Sequence, residues 1–193
     1  MLGQSKPISF PYESNKATQV ILWLLHKHGG TLHRLKLVKL IFYADRKHLA
    51  LYGRPIVGGS YVAMQHGPVS SELLNYINSA TETANMPFIN QSLHVLTKAP
   101  VDEEYFSESD IQVLQHIDKV YGVHDRFTLR DLTHKLQAWR KNYPNPEENT
   151  SYPLPYVDFF DDLRDKGMLE IIIEDQEARD FQYYSFLKSS EIY

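Results

Sequence analysis

Leu35 to Ser70, LKLVKLIFYADRKHLALYGRPIVGGSYVAMQHGPVS, is the stretch on which the fold turns. Thr31 can cap a helix that runs to Tyr52, and Gly53 stands at its C′ position. On a wheel turning about 100° per residue, Leu37, Leu40, Ile41, Ala44, His48 and Leu51 share one face. Leu35, Val38, Phe42 and Leu49 make a second apolar sector about 130° away. A helix that is apolar on two sides is packed on two sides. It is therefore central, and its remaining stripe of Lys36, Lys39, Tyr43, Arg46 and Lys47 is expected to face out. Asp45 falls between the apolar sectors, where an acid is expensive unless hydrogen-bonded or paired. Beyond the helix, Arg54 to Val57 and Tyr61 to Met64 flank Gly58-Gly59-Ser60 and predict a short hairpin, which His66-Gly67-Pro68 ends.

Upstream, residues 1–14 read as an extended arm. Ala17, Val20, Ile21 and Leu24 recur at helical spacing after Ser14 or Asn15, and Gly29-Gly30 stops that helix. Downstream, Ser70 or Ser71 caps a helix with Leu73, Leu74 and Ile77 inward, and weak strand character follows around Leu93, Val95 and Leu96. Ser107-Glu108-Ser109-Asp110 is a capping box for a helix ending near Tyr121-Gly122. Thr128 caps TLRDLTHKLQAWRKNY, and the four prolines in residues 142–155 predict an internal loop. A helix from Tyr156 to Lys166 and strands at Met168–Glu174 and Phe181–Leu187 complete the chain. The class is α+β and mainly helical: about six helices around a long central one, a short hairpin and a small C-terminal antiparallel strand pair, in one domain over residues 15–193.

A chain of 193 residues buries roughly 70% of its unfolded surface, enough for a core without staples. Absence of cysteine excludes disulfides, thiolate zinc sites and cysteine nucleophiles. The N-terminus lacks a secretory pattern and no apolar run approaches the ~20 residues that span a bilayer, so a cytoplasmic location and no membrane partner are expected. The net charge of −4 is unevenly spread. Residues 27–54 hold seven Lys/Arg against Asp45, whereas residues 156–180 hold nine acids against three bases. Such asymmetry can steer a charged partner, and it is equally two solvated faces of one domain.

No catalytic or metal-binding device stands out. The nine histidines show no HExxH or HxxxH spacing, and no metal or cofactor is expected. No GxxxxGK[ST], GxGxxG or GxSxG is present. Asp45 and His48, with Arg54 and His66 beyond them, form either an acid/base site or an internal polar network tying the hairpin to the helix. With no nucleophile nearby, we take the network. His134 and Trp139 are either a surface histidine with a core-edge tryptophan or, if exposed together, a binding anchor. The first two helices and the hairpin also outline a winged helix-turn-helix, with Lys36, Lys39, Arg46 and Lys47 for phosphates. This keeps a DNA-binding autoregulator as the alternative, although the overall acidity argues against nucleic acid.

LKLVKLIFYADRKHLALYGRPI with its hairpin and HGPVSSELL, followed later by LRDLTHKLQAW, resembles the Panacea domain of SocA- and GepA-like phage-associated antitoxins. The matching positions are Lys36, Leu37, Lys39, Leu40, Tyr43, Ala44, Asp45, Gly53, Pro55, Gly67, Pro68, Val69, His134 and Trp139. Ala138 stands where the family often carries proline. The resemblance implies a non-enzymatic antitoxin that neutralises a cognate protein toxin by direct binding, in some members by delivering it to a protease. Lys36, Lys39, Tyr43, Lys47, His134 and Trp139 are the residues expected to meet that partner.

Overall fold

The computed structural model describes residues 8–145 and 147–164. Its helices are α1 (Ser14–Lys27), α2 (Arg34–Tyr52), α3 (Ser71–Ser79), α4 (Glu108–Tyr121), α5 (Arg126–His134) and α6 (Gln137–Asn142). Two 3₁₀ turns cover Glu103–Tyr105 and Tyr156–Arg164. Strands β1 (Thr31–His33), β5 (His94–Thr97) and β4 (Phe88–Gln91) form one antiparallel sheet in that order. Strands β3 (Val69–Ser70), β2 (Tyr61–Met64) and β6 (Ser151–Pro153) form another. The protein is α+β, with α2 at its centre, packed against α4 and α5. The C-terminal strands expected at Met168–Glu174 and Phe181–Leu187 lie outside the described residues.

Local chemistry accounts for most of these boundaries. The His33 imidazole accepts from Leu35 N at 3.1 Å and caps α2, because Thr31 is used instead in strand pairing opposite Leu96. Ser70 Oγ accepts from Leu73 N at the start of α3, and Ser107 and Asp110 close the capping box of α4. Asp125 caps α5, taking the Phe127 and Thr128 N–H groups at 2.7 and 3.1 Å; Thr128 lies inside the helix.

The helix expected from Thr128 onward is broken at Leu136, whose ψ of 135° is extended. In an unbroken helix, residues five apart point about 140° apart. The break instead lays Trp139 over His134, rings stacked at 3.9 Å. The last helix is a 3₁₀ turn, whose threefold repeat sets Tyr156 and Phe159 on one face against Tyr61.

The expected outward stripe of α2 is corrected more deeply. Fourteen of the helix's 19 residues are buried, including Lys39, Tyr43 and Arg46. Tyr43 stacks flat on Tyr121 of α4 at 4.1 Å, and Arg46 donates to the Phe159 carbonyl at 3.1 Å. Lys36 and Lys47 are half-buried, and Lys36 Nζ donates to Gly122 O at 2.6 Å. Helices distant in sequence cover what the wheel left open.

Candidate partner-binding cleft

Two buried carboxylates hold the scaffold around the candidate site. Asp45 accepts from Ile56 N and Val57 N (2.9 and 2.8 Å) on Oδ1, and from Gly58 N and Tyr61 Oη (both 2.9 Å) on Oδ2. Burial raises its pKa to about 6, even though these four hydrogen bonds pull it down. The hairpin expected over residues 54–64 therefore does not form. The N–H groups that would have joined a partner strand are turned onto Asp45, and β2 pairs with β3 across a turn containing His66 and Gly67.

The second carboxylate is Asp110, fully buried at the start of α4. It takes Lys16 Nζ at 2.7 Å, His48 Nε2 at 3.1 Å and Arg54 Nη2 at 3.1 Å. His48 also meets the Arg54 carbonyl at 2.7 Å. Burial pushes the Asp110 carboxyl up, but hydrogen bonds from His48, Lys16 and Ser107 outweigh it and hold the group well below the usual carboxylate range. The single network expected from Asp45, His48, Arg54 and His66 is thus two networks. His66 belongs to neither, being exposed on its turn.

That turn borders a cleft of about 560 Å³. Its apolar lining includes Leu35 and Val38 of α2, Leu74 of α3 and Met64 of β2. Leu93 at the β4–β5 turn and Phe127 at the start of α5 also line it, and they are unusually open for their type, 52% and 49% exposed. Its polar lining holds Arg34, Arg126, Lys39, His33, His66, Gln65 and Asn149, with no Asp or Glu among the described residues. The guanidinium of Arg126 lies 4.4 Å from the Phe127 ring, a cation–π contact. Burial lowers the His33 pKa, and the charges of Arg126, His94 and Arg34 lower it further, so this end of the cleft lies in a cationic field.

Lys39 lies at the floor, 1% exposed, and donates to Pro68 O at 2.8 Å. Gly67 lets the turn approach it: φ is +91°, and a Cβ there would meet Thr133 Oγ1 and come within 2.9 Å of Lys39 Nζ. Behind the turn, Trp139 Nε1 donates to Met64 O at 2.9 Å, and the His134 ring stacks on Trp139 with a buried Nε2 that has no hydrogen-bond partner among the described residues. Burial and then the Lys39 charge lower the His134 pKa.

The structure thus brings Lys39, Pro68, His134 and Trp139 into one corner, while Lys36, Tyr43 and Lys47 stand elsewhere. Sequence reading missed Arg34, Arg126, Leu93 and Phe127. Arg34 opens α2 and Arg126 opens α5, and the two helices, distant in sequence, pack together. Among the described residues no helix is long and apolar enough to cross a membrane.

No curated protein and no solved structure gives a match to the chain. Residues 37–140, more than half of the sequence, match the family described as antitoxin SocA-like, Panacea domain. That segment carries most of helix α2, the carboxylates Asp45 and Asp110, and the His134–Trp139 stack, and the chain belongs to this antitoxin-like family.

Proposed function

We propose that the protein is the antitoxin of a toxin–antitoxin pair, that it neutralises its cognate protein toxin by direct, non-enzymatic binding, and that the toxin docks on the cleft. The observation that carries this reading is the cleft's composition: open apolar side chains inside a cationic rim that holds no acid among the described residues. Interface anchors are typically aromatic or arginine groups around an apolar centre. The winged-helix alternative loses support, since Lys39 and Arg46 are buried and Lys36 is bonded to a carbonyl. Delivery of the bound toxin to a protease is a further step that the same surface would permit, read out as a shortened toxin half-life.

The decisive experiment is coexpression with the product of the adjacent reading frame. That product is expected to arrest growth alone, and this chain to bind it and restore growth; a harmless or unbound product would sink the proposal. Within the complex, replacing both Arg34 and Arg126 with Glu is expected to weaken binding about tenfold or more at low salt. The difference should shrink as salt screens the rim, whose charges are partly exposed. Calorimetric titration across a salt series checks this, and unchanged affinity at low salt would remove the rim from the interface.

A further inference from the structure

The least ordinary group in the cleft is Lys39. An ammonium carries three donors, and the hydrogen-bond acceptor it has among the described residues is the Pro68 carbonyl. Among the described residues no carboxylate lines its surroundings, and the neighbouring Thr133 hydroxyl donates to Arg130 O at 2.7 Å and makes no hydrogen bond with the ammonium. Contrast the buried carboxylates Asp45 and Asp110 beside α2: each is surrounded by four matched partners. A buried charge without a counter-ion is costly to a fold. Burial accordingly lowers the Lys39 pKa well below the lysine range, with no acid to offset it.

We infer that Lys39 is the receptor for a carboxylate delivered by the partner: the cleft takes a segment in which an Asp or Glu is flanked by large apolar residues. The acid passes the Arg34 and Arg126 rim, enters past Leu93 and Phe127, and ends on the Lys39 ammonium, which thereby gains a counter-ion that none of the described residues supplies. Its apolar neighbours cover Leu35, Val38 and Leu74. Charge complementarity fixes the sign of the occupant, because among the described residues three cations and two histidines face the cleft and no acid does. Lys39 is then a specificity-determining residue. A segment presenting Gln or Lys at that position would leave the ammonium buried and unmatched, and would be rejected. This inference rests on the docking site proposed above.

The two roles open to Lys39, ligand receptor and fold lock, make opposite predictions. A random peptide library displayed on phage is panned against the full-length wild-type chain, with Lys39→Met and Lys39→Gln chains as comparators. Methionine keeps the aliphatic stem; glutamine keeps a donor for the Pro68 carbonyl but not the charge. Both variants are expected to melt within about 2 °C of wild type or above it, since each removes a buried charge. Selected peptides are expected to share an Asp or Glu between apolar residues and to bind both variants about 30-fold or more weakly.

Four results would overturn the inference: peptides without acid enrichment, no cleft-dependent peptide at all, peptides indifferent to Lys39, or a large loss of melting temperature in both variants. The last would make Lys39 a fold lock. Failure of the antitoxin reading looks different, because coexpression would then give no rescue while acidic peptides still bound the cleft through Lys39.

Discussion

Asp45→Ala is expected to cost about 3–5 kcal/mol of folding stability. The substitution deletes the acceptor of three backbone N–H groups and of the Tyr61 hydroxyl, all of them buried. Each orphaned donor carries a desolvation penalty of about 1–3 kcal/mol, part of which is offset because a costly buried carboxylate is also removed. The loop cannot simply reach for water. Gly58 O is already taken by Ser70 Oγ at 3.0 Å and Gly59 O by Tyr156 Oη at 2.8 Å, so segments 56–59, 70 and 156 are fastened together around this one side chain. Equilibrium urea unfolding checks the figure. A loss below about 1 kcal/mol would show that the loop holds its shape without the carboxylate. Asp45→Asn should fall between, since one amide oxygen can serve part of the donor set.

Asp110→Ala is expected to cost a similar amount, about 3–5 kcal/mol, by leaving His48 buried and Lys16 and Arg54 without their anion. Here pH supplies an independent check. Asp110 titrates well below its ordinary value of 3.8 when folded. Its contribution is therefore present in full above that ordinary value and is lost as pH falls through the folded one. The wild-type chain should lose stability on acidification in the range below about pH 4, and the alanine variant should lack that component, so the two unfolding curves draw together in acid. Parallel curves from pH 7 to pH 3 would mean that Asp110 is not the group that carries the acid sensitivity.

These locks also explain what could be read in advance. The length and centrality of α2, its Gly53 stop, the Ser70 cap and the Ser107–Asp110 capping box depend on residues within a few positions of one another, and the sequence displays them directly. The anomaly at Asp45 was visible for the same reason: an acid between apolar faces must find donors. Which donors was not visible, and the hairpin was misplaced because a carboxylate eleven to thirteen residues upstream takes the N–H groups of residues 56–58.

The basic stripe was misjudged in a similar way. Helical periodicity reports that Lys36, Lys39, Tyr43 and Arg46 lie together, but whether that side meets water is decided by α4, α5 and the Tyr156–Arg164 turn, up to 113 residues away. The cleft was beyond reach altogether. Its arginines and open apolar side chains come from separate turns that only tertiary packing assembles, whereas the family resemblance fixed the kind of protein from its motifs alone.

The arrangement of the two small sheets bears on how the chain leaves the ribosome. The β1–β5–β4 sheet has all its strands once residue 97 has emerged, yet β2 waits for β6 at residues 151–153 to occupy its second edge. From the emergence of β2 at residue 64 to that of β6 at residue 153, at a synthesis rate of roughly 5–20 residues per second, about 4–18 s pass. For that time the nascent chain carries an unpaired β2 edge. The protein is thus one whose N-terminal half can settle while its second sheet is still incomplete, and whose β2 edge is open to edge-to-edge pairing during that window.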